Sequence, residues 1–443
     1  MNIPENAKRI VERLQKHHSA YLVGGCVRDM LLDKEPKDYD ICTSARPEEV
    51  MEIFKFVIPT GIKHGTVSVV MDKELYEVTT YRYNEIYENS HIPTSVSFDT
   101  SKEGIYNDLS RRDLTINAMA FDPISNIFID PYGGEEDIKK GIIRTVGNPD
   151  ERFSEDPLRM MRAIRFACQL GFTVDRKTFE SIRRNREKLN VISAERINAE
   201  LTKMVMSDNV EKMMMLHYSG LAEIFFPEFS VCCECTQNHP YHKASVGRHI
   251  LDVVSLVPKD PQLRFAALFH DIGKPLVKTM DARSDHFYGH PKASREIALR
   301  IMEELRFSNK DKKMIADLVL EHDKFENIQN VNKTLKKLLN KYDEYFVRKL
   351  FALAVADTNA HTDILIEKTK GTLEEIEKEL TSILENGEPY KMKHLKINGS
   401  DLLERGYEDE AIGRKLSELL AEVLKNPEKN TREYLLSRCR KKN

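Results

Sequence analysis

GGCVRDMLLDKEPKDYDICT, residues 24–43, is the stretch on which the fold turns. It follows an apolar strand, YLV at residues 21–23, passes through two glycines into a helix beginning near Val27, and reaches Asp38 and Asp40 at the head of a second strand, DYDICT. Alternate residues of a strand point to the same face, so this spacing sets both carboxylates side by side. Like charges that close raise each other's proton affinity unless a cation lies between them. Mg²⁺ is the natural occupant, because it takes oxygen ligands and leaves room for substrate phosphates. A pair of such ions can activate a hydroxyl and stabilise a pyrophosphate leaving group in one in-line displacement. Gly24 and Gly25 let the backbone approach a triphosphate, and the helix N-terminus that follows favours anions. A bare Asp-x-Asp after Pro36 reads more readily as a solvated turn. The preceding Gly-Gly-x-Val-Arg-Asp reverses that preference.

Around this stretch, residues up to about Tyr132 read as an α+β head. Ile10, Val11 and Leu14 carry a helical period, RPEEVMEIF (46–54) reads as a second helix, and HGTVSVVM (64–71), LYEVTTYR (75–82) and IFIDPY (127–132) read as strands. Glu77, on the strand expected beside DYDICT, is the candidate for a third metal-facing carboxylate. The pattern alone fits an exposed strand glutamate equally well. After Gly133 and Gly134 the period changes, and from about Glu155 to the end nearly every segment reads as helical, with polar breaks near residues 238–240, 387–389 and 426–430.

With 443 residues the chain exceeds one hydrophobic core and predicts roughly two to four domains. Apolar residues at 41% and charged residues at 31% describe a soluble globular protein. The net charge of −3 neither supports nor excludes a nucleic-acid partner, because phosphate affinity follows local and not summed charge. The start lacks an apolar signal region and no long apolar run follows, so a cytoplasmic location without membrane contact is expected. The 7 cysteines fit reduced thiols. Cys232, Cys233 and Cys235 raise the question of zinc, but no second pair stands at finger-like spacing.

EDPLRMMRAIRF, residues 155–166, reads as a helix beginning at Ser154 or Glu155, with Pro157 tolerated in its first turn. Asp156 and Arg159 then share a face, and Glu155 can lock the Arg159 guanidinium. An arginine donates to a ring nitrogen or to the cytosine carbonyl, and an aspartate accepts from an exocyclic amino group. Cytosine and adenine offer that amino group. Uracil and guanine put a carbonyl there and leave a buried acceptor unpaired. Helix capping alone would explain the acids but not Arg159, Arg162 and Arg165, which recur every three residues. Arg162 is the candidate triphosphate contact. Farther on stand His249, His270, Asp271, His290, His322 and Asp357, with His242 as a spare. Imidazoles and carboxylates together make a mixed nitrogen and oxygen metal site that can activate water.

These motifs resemble, in order, those of the polymerase-beta-like nucleotidyltransferases, in particular the bacterial-type (class II) tRNA CCA-adding enzymes and their poly(A) polymerase relatives. Residues 24–40 are similar to the metal-binding signature, in which Asp38 and Asp40 would be catalytic. RRDLTINAMAFD (111–122) is similar to the motif whose arginine and aspartate, here Arg112 and Asp113, face the ribose. DPYGGEEDIKKGIIR (130–144) is similar to the hinge, residues 155–166 to the base-selecting motif, and SAERINAEL (193–201) to the helix start that supports it. The resemblance implies a nucleotide site at Gly25, Arg28, Arg111, Arg112, Asp113, Asn117, Glu155, Asp156, Arg159 and Arg162, with Mg²⁺ as its metal, CTP and ATP as substrates and tRNA as partner. The His/Asp series resembles the HD-domain phosphohydrolases and implies a second divalent ion of unspecified identity, with phosphatase or cyclic phosphodiesterase activity. The long segment 83–110 favours full CCA addition, since family members that add only the two cytidines shorten it. An A-adding enzyme or a poly(A) polymerase would also keep it. From Leu395 the chain resembles the family's tRNA-contacting tail, with Gly399, Gly406 and Gly413 suiting tight helix junctions.

The expected architecture is therefore an α+β nucleotidyltransferase head (1–140), a helical neck (141–230), an HD-type body (231–365) and a helical tail (366–443). A phosphohydrolase with a non-catalytic RNA-binding head is the competing reading, and the paired aspartates, RRD and EDPLR together argue against it.

Overall fold

The computed structural model describes residues 3–86, 95–238, 241, 244–281, 284–326 and 328–439. Residues 87–94, the middle of the long segment read above, and His242 lie outside the described residues. The chain forms two compact units, Met1–Ser230 and Val231–Asn443.

The first unit holds a mixed sheet of β1 (Ala20–Val23), β2 (Ile41–Thr43), β3 (Val57–Gly61), β4 (Thr66–Met71), β5 (Glu74–Thr80), β6 (Ala120–Asp122) and β7 (Ile127–Ile129). Its order is β3-β4-β5-β2-β1-β6-β7. β2 and β5 run parallel, with Ile41 opposite Val78, and the other pairs are antiparallel. The alternation in β5 sorts its faces: Tyr76 and Val78 are buried, and Leu75 and Glu77 are exposed. Ala7, Ile10, Val11 and Leu14 form the buried stripe of the helix Glu5–Gln15, as their period requires.

Three expectations change here. β2 begins at Ile41, so Asp38 and Asp40 lie just before the strand and not within it. Asp40 still joins the ladder, because its carbonyl accepts the Val23 N–H at 3.0 Å. The helix expected from Ser154 or Glu155 is broken: Pro149–Glu155 ends, Asp156 takes an extended backbone (φ −142°), and Leu158–Leu170 follows. Pro157 is the cause, since the ring clashes with an α conformation at the residue before it. The neck also contains a short parallel strand pair, Ile142–Ile143 with Thr173–Val174.

In the second unit the helices Val246–Leu256, Pro261–Phe269, His290–Glu304, Asn309–Glu321 and Glu344–Asn359 carry the His/Asp series at or near their ends. The expectation of an all-helical second half is corrected by an antiparallel pair, Thr279–Met280 with Asp285–His286, in a stretch too short for a helical period. The tail has its own core, built on Leu395, Ile397, Leu402, Leu419, Leu420, Val423, Leu435 and Cys439. Gly399 opens a tail helix and Gly406 (φ +80°) follows it, but Gly413 sits inside Asp409–Val423 and makes no junction. All 7 cysteines are free, and none joins a metal-suitable group among the described residues. No described helix is long and apolar enough to cross a membrane.

Candidate functional site

A cavity of about 1150 Å³ in the first unit is lined by Gly24, Gly25, Arg28, Asp38, Asp40, Glu77, Arg111, Arg112, Asp113, Asn117, Asp156, Arg159 and Arg162. Asp40 is half-buried, and burial together with Glu77 and Asp38 raises its carboxyl above the ordinary range against the pull of Arg112. A carboxylate in that position gains most from a cation, which fits a hard divalent ion. Among the described residues, however, ligand sets already gathered within 4.8 Å occur only in the second unit, so Asp38, Asp40 and Glu77 face one cavity without closing on a common point.

Gly24 forms the turn above them. Its φ of +73° favours glycine, and a Cβ there would meet Arg112 Nη1 at 2.6 Å. Arg112 is held by Asp108, whose Oδ2 accepts from Nε at 3.2 Å and from Nη2 at 3.0 Å, and Nη1 donates to the Asn117 carbonyl at 3.2 Å. Arg111 donates to the other oxygen, Oδ1, at 3.3 Å. Asp108 is fully buried, yet these arginines outweigh the burial and keep its carboxyl below the ordinary range.

Asp113 is likewise buried. Burial would raise its carboxyl, but Arg162, with Nε 2.7 Å from Oδ2, lowers it to about 2. Arg28 donates to Asn117 Oδ1 at 2.7 Å and lies over the Phe166 ring, as do Arg162 and Arg165. Glu155 grips Arg159 at 2.5 Å, and Arg159 Nη2 also donates to the Arg111 carbonyl at 3.0 Å. Asp156 is fixed at both oxygens: Oδ1 accepts the Leu158 N–H at 3.1 Å, and Oδ2 accepts from Arg196 Nη2 at 2.7 Å. Beneath them Arg165 and Glu200 form a buried ion pair at 2.7 Å. Of the set expected in this cavity, Glu155 alone does not line it, and touches Arg159, which does.

Sequence reasoning did not single out Asp108, Arg196 or Glu200. Asp108 stands three and four residues before Arg111 and Arg112, a spacing that could have found it.

In the second unit His249, His270, Asp271, His290, His322 and Asp357 come together. His249 Nε2 is 2.9 Å from Asp357 Oδ1, His270 Nε2 is 3.2 Å from Asp271 Oδ2, and His290 Nε2 is 3.3 Å from Asp271 Oδ1 and 3.1 Å from His322 Nε2. The opposite nitrogens of three rings are pinned: Nδ1 of His270, His290 and His322 meets the carbonyl three residues earlier, at 2.7, 2.9 and 2.8 Å. Each therefore turns Nε2 inward. The described residues give His270 Nε2 and Asp357 Oδ1 no hydrogen bond of proper geometry, although both atoms are shielded from water. Buried atoms left so are what a metal would satisfy. Burial, with His270 and His290 alongside, lowers the His322 imidazole to about 3. Around Asp271, His270 and Lys274 offset burial and hold the carboxyl well below its usual range. His361, which the sequence reading missed, joins His249 and Asp357 in a further ligand set, four residues after Asp357. The cluster opens on a cavity of about 590 Å³.

Three family models match the chain in succession: the poly A polymerase head domain over residues 20–144, the probable RNA and SrmB-binding site of polymerase A over 171–233, and the HD domain over 236–358. A CCA-adding enzyme of Oceanobacillus iheyensis is 49% identical over 195 residues, 44% of this chain and 48% of that protein. That of Ligilactobacillus salivarius is 47% identical over 236 residues, 52% of this chain and 56% of that protein. The crystal structure of the Bacillus stearothermophilus CCA-adding enzyme in complex with CTP matches with a TM-score of 0.70 and 28% identity, covering 99% of this chain and 98% of the other. The chain belongs to the class II CCA-adding enzyme and poly(A) polymerase family. It spans about half the length of the curated relatives it matches. The three family models leave uncovered residues 1–19, 145–170 (with Asp156 and Arg159), 234–235 and 359–443 (with His361). Membership in the CCA-adding enzyme and poly(A) polymerase family accounts for the mixed-sheet head followed by helices and an HD domain.

Proposed function

We propose that this chain adds CCA to the 3′ end of tRNA from CTP and ATP and releases pyrophosphate. The observation that carries this is that the acidic pair, Arg111 to Asp113, and Asp156 with Arg159 all line one cavity, where triphosphate, ribose and base of a single nucleotide can be engaged together. Asp38 and Asp40, with Glu77, would hold Mg²⁺, which when bound neutralises the triphosphate and lowers the proton affinity of the primer hydroxyl. Gly24 and Gly25 admit the phosphates, and Arg112 and Asp113 face the ribose. Asp156 accepts from the amino group of cytosine or adenine while Arg159 donates to the ring. A uracil or guanine carbonyl would oppose the Asp156 carboxylate, and the lost pairing costs UTP and GTP affinity.

The head (1–140) would thus carry catalysis and the neck (141–230) base choice, and the tail (366–443) would contact tRNA. For the body (231–365) we infer metal-dependent hydrolysis of phosphate ends. Its His/Asp cluster, with three pinned imidazoles and three ligand sets each gathered within 4.8 Å, supports a bound divalent ion. When bound, that ion supplies an activated water.

The test is purified protein with tRNA lacking its CCA end, Mg²⁺, and CTP, ATP or both. Complete CCA from the mixture supports the reading. Growth by a single A, or by a run of A, replaces it with an A-adding enzyme or a poly(A) polymerase.

A further inference from the structure

Two arginines line the cavity whose carboxylates the proposed reaction needs free. Arg112 lines the same cavity as Asp38, Asp40 and Glu77. An unrestrained guanidinium there would pair with Asp40, because a bidentate arginine–carboxylate contact is among the strongest hydrogen-bonded pairs available. In this structure each of its three nitrogens is engaged elsewhere. Asp108 takes Nε and Nη2, the Cys42 sulfur lies 3.5 Å from Nη2, and the Asn117 carbonyl takes Nη1. The same Asp108 accepts Arg111 through its second oxygen and the Arg82 backbone N–H at 3.4 Å. One fully buried carboxylate therefore serves two arginines that both reach the cavity. Two cations against one anion leave that cluster with a net positive charge toward the cavity where the nucleotide would lie. Gly24 completes the geometry, since only a residue without a Cβ leaves room for Arg112 Nη1 above that turn.

We propose that Asp108 is a positioning residue for nucleotide binding: it aims Arg112 onto the Gly24 turn and keeps it off the Asp38 and Asp40 pair. The proposal rests on the nucleotidyl-transfer reading of this cavity. A neutral amide at position 108 removes the charge and replaces one of the two accepting oxygens with a donor, while nearly preserving volume. Arg112 then turns toward Asp40, which weakens nucleotide binding and sets an arginine in competition with the metal.

The experiment compares wild type, D108N and D108E by CTP equilibrium dialysis in EDTA, by the Mg²⁺ concentration that half-saturates CMP addition to tRNA lacking its CCA end, and by thermal melting. D108N is expected to weaken metal-free CTP binding roughly tenfold or more, the scale of a lost charge-assisted hydrogen bond, and to raise the Mg²⁺ requirement severalfold. D108E retains the charge on a longer arm and should fall between the two. Should D108N not fold, D108E alone decides. A folded variant that binds CTP within twofold of wild type and keeps the wild-type Mg²⁺ requirement overturns the proposal, and a lowered melting temperature with neither change reduces Asp108 to a structural role. Wild-type protein that binds CTP but adds no nucleotide would refute the transfer reaction and leave the dialysis comparison standing.

Discussion

Replacing Arg196 with methionine tests whether base choice depends on how firmly Asp156 is held. Arg196 Nη2 reaches Asp156 Oδ2 at 2.7 Å, and the Leu158 N–H holds the other oxygen. Methionine keeps the aliphatic bulk and removes the donor. A hydrogen bond to a charged group contributes about 1.5–3 kcal/mol. The Arg196 side chain is 34% exposed and that of Asp156 15%, so solvent screening places this pair at the lower end, ~1.5 kcal/mol. If that energy serves to orient the carboxylate, its loss lowers discrimination between CTP and UTP by roughly tenfold, one decade per about 1.4 kcal/mol. The assay is single-nucleotide addition to tRNA lacking its CCA end, read as the ratio of kcat/KM for CTP to that for UTP. A ratio that falls about tenfold, mainly through faster UTP addition, is the expected result. A uniform fall in both rates with the ratio unchanged would refute the reasoning, because it would make Arg196 a support for the fold and not for selection.

G24A should lower nucleotide addition at least tenfold without unfolding the chain, since the new methyl meets Arg112 at 2.6 Å and the backbone is left-handed; circular dichroism beside the addition assay checks both halves. D113N should destabilise the first unit by roughly 2 kcal/mol, the equivalent of a carboxyl lowered from 3.8 to about 2. Because the folded value is the lower one, this stabilisation is complete above about pH 5 and is lost as the pH falls through about 2, so the D113N deficit in melting should be the same at pH 7 and pH 5. E200Q breaks the buried pair with Arg165 and should cost about 3 kcal/mol, which lowers the first unit's melting temperature by roughly 6–12 °C. Replacing His270 and Asp271 together with alanine should remove bound divalent metal, measured by elemental analysis after gel filtration, while CMP and AMP addition continues.

The expected residues that line the first unit's cavity were legible because their types and spacings are local. Two aspartates after a diglycine turn, RRD and EDPLR each declare themselves within one short stretch of sequence. The residues that hold them were harder to read. Arg196 reaches Asp156 from 40 positions away and Glu200 reaches Arg165 from another helix, so nothing in the linear pattern joins them. β3 escaped notice because VIPTG carries a proline and a glycine, which an edge strand with an irregular register tolerates. β6 lay inside a motif whose interest was chemical. The break at Asp156 was legible in principle, since Pro157 forbids an α conformation before it, but the acids on either side of the break looked like an ordinary helix start. In the second unit His361 stood outside the series because it comes just past the helix that carries Asp357.

The three pinned imidazoles have one more implication. Their orientation comes from backbone carbonyls within their own helices or turns, a support that exists before any ion arrives. Loading the second unit is then closer to filling a finished socket than to winding a chain around a nucleus. Chelation should leave its helices intact and the empty protein able to take metal up again at once, in contrast to small zinc modules, for which losing the ion means losing the fold.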